Sequence, residues 1–200
     1  MNILELFAGS CSFSNVAKEL GHSTFTSDIQ QYGKIDYVCD IMDFDVNKVP
    51  FEPTIVWCSP PCTFFSVCSI GHHWNKDHTP KTENAKLGMA IVKKTVEILD
   101  QFPSAKWYIE NPRGKLRKLG LIGGWMRTVC YCKYGDSRMK PTDVWTNDFN
   151  WVPRPMCFNG NKDCHHQSAP RGSSTGTQGL KGSYERSKVP RELCLEILNG

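Results

Sequence analysis

The sequence predicts an α/β protein built on a doubly wound, Rossmann-like sheet. Short apolar runs rich in β-branched and aromatic residues alternate with amphipathic helical patterns, as in βαβ units. The first run leads at once into a small-residue turn, residues 8–12, where such sheets hold polar ligands against a helix N-terminus. Two later runs end at prolines beside Cys62 and Glu110. Because parallel strands end at one edge of a sheet, we expect these side chains to share a cleft.

The order of predicted elements is that of a nucleotide-binding half followed by a second half with an antiparallel hairpin. Gly21 ends the first helix, which Ser12 or Ser14 can cap. Residues 71–84 are cationic and lack apolar periodicity, so a mobile loop is predicted there. The predicted strands are 3–7, 24–26, 37–38, 54–57, 107–109, 128–132 and 143–145, and the predicted helices are 13–20, 85–102 and 189–198.

The segment around Cys62 is the strongest candidate for a reactive site. Pro60 and Pro61 remove two backbone donors and fix two φ angles, which stops the preceding strand. Cys62 is thereby held at the carboxyl end of a strand, where open α/β sheets bind ligands. The alternative is a buried structural cysteine without reactivity.

Length and composition indicate one main domain. The chain has 200 residues, 40% of them hydrophobic, and a net charge of +4, which permits nucleic-acid binding without requiring it. No signal peptide or bilayer-spanning run is recognised, so we expect a cytoplasmic monomer without a membrane partner. The ten cysteines are then thiols or metal ligands. The predicted parts are a core at 1–149, a Cys/His-rich segment at 150–182 and a returning helix at 183–200.

Five short motifs, taken in order, resemble those of the DNA cytosine-5-methyltransferases and span nearly the whole chain. The resemblance identifies a small, phage- or prophage-like member of that family, with a Rossmann-like methyltransferase sheet and a reduced target-recognition region. A phage-encoded member would act in the host cytoplasm. The motifs are Leu6-Phe7-Ala8-Gly9, Pro61-Cys62-Thr63 to Ser66, Glu110-Asn111-Pro112, Tyr134-Gly135 through Arg138-x-Lys140, and Lys188-Val189-Pro190.

The resemblance implies methyl transfer to carbon 5 of a cytosine that is flipped out of DNA. Carbon 5 is a weak nucleophile until a thiolate adds to carbon 6, a role assigned to Cys62. Glu110 would stabilise the charge pushed into the ring, and Arg138 would be an electrostatic partner near both groups. The residues expected to contact the substrate are Pro61, Ser66, Asn111 and Lys140.

S-adenosylmethionine is the cofactor that the resemblance implies. Phe7 would pack on the adenine, and Gly9 with Ala8 would approach the methionine portion. Asp28 would accept hydrogen bonds from the ribose hydroxyls, although a solvated turn carboxylate is the alternative for this residue and for Asp40. The remaining predicted cofactor contacts are Ile29, Asp40, Ile41 and Val189.

A group of cysteines and histidines lies in the segment that is too polar to build an apolar core. Cys157 and Cys164 flank a predicted tight turn, so a tetrahedral zinc ion could be bound by both of them with Cys132 and His165. Free thiols in a reducing compartment are the alternative, and the spacing does not decide between them.

Two other functions remain open at this point. One is a non-catalytic nucleic-acid-binding module that keeps a methyltransferase fold, and the other is a methyltransferase acting on cytosine in RNA. Retention of both Cys62 and Glu110 argues against the first, whereas the catalytic residues do not distinguish DNA from RNA.

Overall fold

The computed structural model describes residues 1–167 and 182–200 and contains a seven-stranded mixed sheet. The strands are β1 (Asn2–Leu6), β2 (Ser23–Asp28), β3 (Tyr37–Val38), β4 (Ile55–Cys58), β5 (Lys106–Pro112), β6 (Trp125–Cys130) and β7 (Pro141–Thr146). The helices are α1 (Ser12–Glu19), α2 (Ile70–His73), α3 (Glu83–Leu99), α4 (Ser183–Ser187) and α5 (Arg191–Asn199).

The strand order β3-β2-β1-β4-β5-β7-β6 places the change of winding direction between β1 and β4. β1 to β5 pair in parallel, and β7 is antiparallel to both β5 and β6. Ligands of doubly wound sheets bind outside the carboxyl ends of the strands at such a point. The predicted α/β class and the predicted antiparallel hairpin are both confirmed.

Two apolar clusters cover the two faces of the sheet. One contains residues of α1 and α5 around the fully buried Trp57 and Tyr108 of the sheet. The other contains residues of α3 against Leu4, Val56 and Ile109 of the same strands. Burial on both sides of the sheet explains why β4 is wholly apolar and why β1 has only two polar residues, Asn2 and Glu5.

The start of α1 differs from the prediction, because neither Ser12 nor Ser14 caps it through its side chain. Instead, the buried Glu5 carboxylate on β1 accepts hydrogen bonds from the backbone N–H groups of Phe13 (3.3 Å) and Ser14 (2.8 Å). Burial raises the pKa of Glu5 from 4.5 to about 7, although these hydrogen bonds oppose the shift. A cap supplied by another element leaves no local sequence pattern.

The segment predicted as a mobile loop is partly ordered and packed. It begins within α2, and the buried indole of Trp74 donates a 2.7 Å hydrogen bond to the carbonyl oxygen of Phe64 and stacks on Phe65. The prediction missed this because a single buried aromatic side chain produces no periodicity. On α3, Leu87 was predicted to lie on the apolar face but is 49% exposed.

Residues 150–167 contain no helix or strand, and residues 168–181 of the predicted insertion lie outside the described residues. Among the described residues, no helix combines the length and the hydrophobicity that crossing a bilayer requires.

Candidate active site

The loop that carries Cys62 is closed by short hydrogen bonds at the edge of the sheet. The backbone N–H groups of Phe65 and Ser66 donate to the carbonyl oxygen of Cys62 at 3.0 and 2.9 Å. The fully buried Asn111 donates from Nδ2 to the carbonyl oxygen of Pro60 at 2.9 Å. This hydrogen bond attaches β5 directly to Pro60, two residues before Cys62. Cys62 itself is half-buried at this edge of the sheet.

Glu110 lies in β5 with its carboxylate held by two side chains. The Tyr131 hydroxyl donates to Oε1 at 2.9 Å, and Lys140 Nζ lies 3.8 Å from the same oxygen. All three side chains are buried. Burial and then the charge of Glu110 raise the pKa of Tyr131 well above 10, so its hydroxyl keeps its proton and acts as a donor.

Neighbouring charges act on the pKa of the Cys62 thiol in opposite directions. Burial raises the pKa of its thiol above the ordinary value, and the negative charge of Glu110 adds to that effect. The cations Lys140 and Arg186 act in the opposite direction. Lys140 is the buried cation whose charge favours the thiolate form of Cys62.

Lys140, and not Arg138, is the cation next to Glu110. The Arg138 guanidinium is paired with the carboxylate of Asp136 on the same turn and also donates to the carbonyl oxygen of Arg186. Lys140 Nζ donates to that carbonyl at 3.1 Å and lies 4.3 Å from the centre of the Tyr131 ring. The electrostatic role of Arg138 near Cys62 and Glu110 stays a prediction, and the structure pairs its guanidinium with the carboxylate of Asp136.

The turn after β1 and the end of β2 form the predicted cofactor end of the cleft. Phe7 and Gly9 have φ angles of 57° and 43°, an arrangement that L side chains rarely adopt. Asp28 accepts hydrogen bonds from the backbone N–H groups of Gly9 (2.9 Å) and Gln30 (3.0 Å). A carboxylate has about four acceptor positions, so Asp28 retains capacity for ribose hydroxyls.

The other predicted contacts fall into two groups. Ala8, Ile41 and Val189 are buried, and the backbone N–H of Val189 donates to Ser12 Oγ at 3.2 Å, which brings the C-terminal segment to the first turn. Four residues are exposed or half-buried at the surface. They are Ile29, Asp40, Pro61 and Ser66, and Asp40 accepts a hydrogen bond from the backbone N–H of Met42.

Four metal-ligand atoms come together beside the hairpin, from Cys132, Cys157, Cys164 and His166. Three of these residues were predicted, but the fourth is His166 and not His165. The His165 Nε2 atom faces the carbonyl oxygen of Asp136 at 3.0 Å on the exposed side of the chain. Adjacent residues of an extended segment point in opposite directions, and composition does not reveal which of them points inward.

Three contributors to the site were not predicted from the sequence. Tyr131 was expected only as a strand residue, although a buried tyrosine hydroxyl usually has a partner. Gly114 follows β5 where the backbone meets the Cys62 loop, and the buried Lys115 donates from its backbone N–H to the carbonyl oxygen of Phe65 at 2.7 Å. No sequence motif marks these contacts.

Comparison with known proteins agrees with this arrangement. The chain is 29% identical to the "Probable DNA (cytosine-5)-methyltransferase" of Frog virus 3 (isolate Goorha), over all of this chain and 99% of that protein. Its structure matches that of a "putative DNA modification methyltransferase encoded within prophage" of E. coli, with a TM-score of 0.52 and 14% identity. That match covers 73% of this chain and 46% of the other. No protein-family model matches the chain. The predicted resemblance to the DNA cytosine-5-methyltransferases and the predicted methyltransferase fold are therefore both confirmed.

Proposed function

We propose that the protein transfers a methyl group from S-adenosylmethionine to carbon 5 of cytosine in DNA. The observation that carries this proposal is that Cys62 and Glu110 lie close enough at one edge of the sheet for their charges to interact. The Glu110 carboxylate is contacted by the Tyr131 hydroxyl and lies near the Lys140 ammonium group. The full-length similarity to the Frog virus 3 protein supports the same activity.

S-adenosylmethionine, when bound, supplies the methyl group. The turn at Gly9 fits a cofactor at that place, because an added Cβ atom would meet no atom closer than 3.9 Å. We assign Phe7 and Ile41 to the adenine and the free acceptor positions of Asp28 to the ribose. The exposed Asp40 carboxylate lies at the next strand end, within the same edge.

Cys62 starts the reaction once its proton has passed to solvent. The thiolate adds to carbon 6 of the base, which forms the S–C6 bond and moves the C5–C6 π electrons towards carbon 5. Carbon 5 then forms a bond to the methyl group, and the electron pair of the broken bond stays with the methyl donor. The proton on carbon 5 passes to water, its electron pair re-forms the C5–C6 double bond and expels the thiolate, and Cys62 regains a proton from solvent.

Glu110 stabilises the ring while it carries the extra electrons. Its carboxyl group is assigned to donate a proton to N3, where the negative charge accumulates, and to accept a hydrogen bond from the 4-amino group of the base. Tyr131 limits the orientations open to the carboxyl group, and the positive charge of Lys140 stabilises the negative charge that develops on Cys62 and on the ring. Neither Tyr131 nor Lys140 needs to touch the base for these effects.

The substrate is proposed to be a cytosine flipped out of the duplex and bound by a monomer. A stacked base cannot reach a half-buried thiol, so the base must leave the helix. Lys76 and Lys81 are exposed on the segment that follows the Cys62 loop, where they can contact phosphates.

A trapping experiment tests this proposal. Duplex DNA containing 5-fluorocytosine and labelled S-adenosylmethionine are incubated with the protein, because fluorine on carbon 5 cannot leave as a proton does and the adduct persists. We expect a denaturation-resistant protein–DNA complex that carries the label. Cys62→Ser should abolish it, whereas Cys68→Ser, at an exposed thiol six residues away, should not.

The same assay separates the alternatives. DNA binding without an adduct and without methyl transfer would contradict the proposal and favour the non-catalytic module. An adduct formed with RNA and not with DNA would change the substrate class while keeping the chemistry of Cys62.

A further inference from the structure

We propose that Cys132, Cys157, Cys164 and His166 bind a structural Zn²⁺ ion that attaches residues 153–167 to the connection between β6 and β7. The four ligand atoms lie within 4.8 Å of one another. Zn–S bonds of about 2.3 Å in a tetrahedron place sulfur atoms roughly 3.8 Å apart. A contraction of about 1 Å therefore converts the observed group into a zinc site.

The chemistry of the donor set selects the metal. Three thiols and one imidazole form a Cys₃His set, which suits Zn²⁺ and excludes the oxygen-seeking Ca²⁺ and Mg²⁺. Cys132, Cys157 and His166 are buried and Cys164 is half-buried, so the group is closed, as structural zinc sites are. His166 Nδ1 lies 3.6 Å from Cys157 Sγ.

The local fold delivers the ligands from two parts of the chain. Gly160 has a φ of 81° and reverses the chain between Cys157 and Cys164. Asn161 closes the turn through its backbone and donates from Nδ2 to Cys157 Sγ at 3.5 Å. Such donors to a ligating sulfur orient it and are typical of metal sites. Cys132 comes from the hairpin, at the other side of the site.

The packing around these residues explains why a metal is needed. Cys130, Cys132 and Cys157 form a third apolar cluster, separate from the two that cover the sheet, and within the described ranges 1–167 and 182–200 the apolar residues packed against it are Met139 and Cys164. Nearby side chains that could enlarge it point outward instead: Val152, Met156 and Phe158 are 79%, 48% and 65% exposed. A core this small stabilises a segment without helix or strand very little, and metal binding can replace the missing burial.

The position of the site connects it to the active site. Cys132 directly follows Tyr131, whose hydroxyl donates to Glu110. The backbone N–H of Gln167 donates to the carbonyl oxygen of Ser137 at 2.9 Å. Residues 153–167 are therefore also attached to the turn that carries Arg138 and Lys140. Zinc would thus hold the turn that positions the Glu110 carboxylate, and its binding can be measured independently of methyl transfer.

Metal analysis of the full-length protein tests the inference. We expect protein purified without chelator to contain about one zinc per chain. Reconstitution with Co²⁺ should give the visible absorption of a tetrahedral site with thiolate charge-transfer bands. Competition with a chromophoric chelator should show zinc affinity lowered at least about 100-fold by His166→Gln, since removing a group that only hydrogen-bonds a ligand already costs 10–100-fold. His165→Gln is the matched control and should bind zinc like the unmodified protein.

Specific results would overturn the inference. A folded, metal-free protein that takes up neither Zn²⁺ nor Co²⁺ would do so, as would a disulfide between any two of the three thiols, detected by alkylation and mass measurement. Loss of zinc from His165→Gln and not from His166→Gln would also contradict it. If His166→Gln fails to fold, the Co²⁺ spectrum and chelator competition of the unmodified protein still decide.

Discussion

Gly114→Ala should disturb the Cys62 loop through a single added methyl group. A Cβ atom at Gly114 would lie 2.3 Å from the carbonyl oxygen of Phe65 and 3.3 Å from its carbonyl carbon. Carbon and oxygen atoms in contact are usually about 3.3 Å apart. The backbone around Phe65 must therefore move by about 1 Å, because neither atom belongs to a flexible side chain.

The expected loss follows from that displacement. Overpacking costs about 1–3 kcal/mol, and losing the 2.7 Å hydrogen bond from Lys115 N–H to the Phe65 carbonyl costs roughly 1 kcal/mol more. A destabilisation of about 2–4 kcal/mol lowers the melting temperature by roughly 5–15 °C in a chain of this size. Since Phe65 N–H donates to the Cys62 carbonyl, the thiol shifts too, and a 1 Å misplacement slows the reaction about 100-fold.

Thermal unfolding and the rate of adduct formation with 5-fluorocytosine DNA measure both effects. Gly123→Ala is the matched control, because an added Cβ there meets no atom within 4 Å. We expect the control to melt and react like the unmodified protein. If Gly114→Ala also melts within 1 °C of the control and reacts at the same rate, the close approach of Gly114 to Phe65 neither limits stability nor positions Cys62.

Three further predictions concern ionisation and hydrogen bonding. Because the folded-state pKa of Glu5 is raised from 4.5 to about 7, its protonated form stabilises the fold below pH 4.5, and that contribution of about 3 kcal/mol is lost as the pH rises through 7. Glu5→Gln should therefore flatten the dependence of unfolding free energy on pH from 5 to 8, and an unchanged profile would contradict the assignment. Lys140→Gln removes a cation that lowers the pKa of Cys62, so the alkaline rise of the adduct-formation rate should move to higher pH; a shift to lower pH would be incompatible with this role. Tyr131→Phe leaves Glu110 Oε1 without its 2.9 Å donor and should slow methyl transfer about 10-fold or more with little change in cofactor affinity, since a hydrogen bond to a charged group contributes about 1.5–3 kcal/mol. A larger change in cofactor affinity than in turnover would place Tyr131 elsewhere in the mechanism.

Short sequence patterns determined much of the fold and the positions of Cys62 and Glu110. The apolar runs of β1, β4 and β5 are buried on both faces of the sheet, so their composition alone marks them as strands. Prolines at 60, 61 and 112 mark where two of these strands end. Because parallel strands end at one edge, the convergence of Cys62 and Glu110 follows from the sequence without knowledge of the packing.

Tertiary structure decided which neighbouring side chain faces the site. Arg138 and Lys140 are both cations on one turn, but Asp136 pairs with the first and leaves the second near Glu110. His165 and His166 are alternatives of the same kind, and only the inward residue joins the three thiols. In each pair the chemistry is nearly identical, so composition and spacing carry no preference.

Contacts between distant residues account for the other differences. Glu5 caps α1 from an adjacent strand, and Tyr131 reaches Glu110 across 21 positions of the chain. Their energies depend on burial and on distances set by the assembled sheet, whereas strand and helix patterns depend on neighbours within a few residues. The sequence by itself therefore determined the sheet, the edge where Cys62 and Glu110 lie, and the cysteine that we propose as the nucleophile. The neighbours that act on the pKa of Cys62, and the fourth residue of the Cys/His group, were decided only by the packed structure.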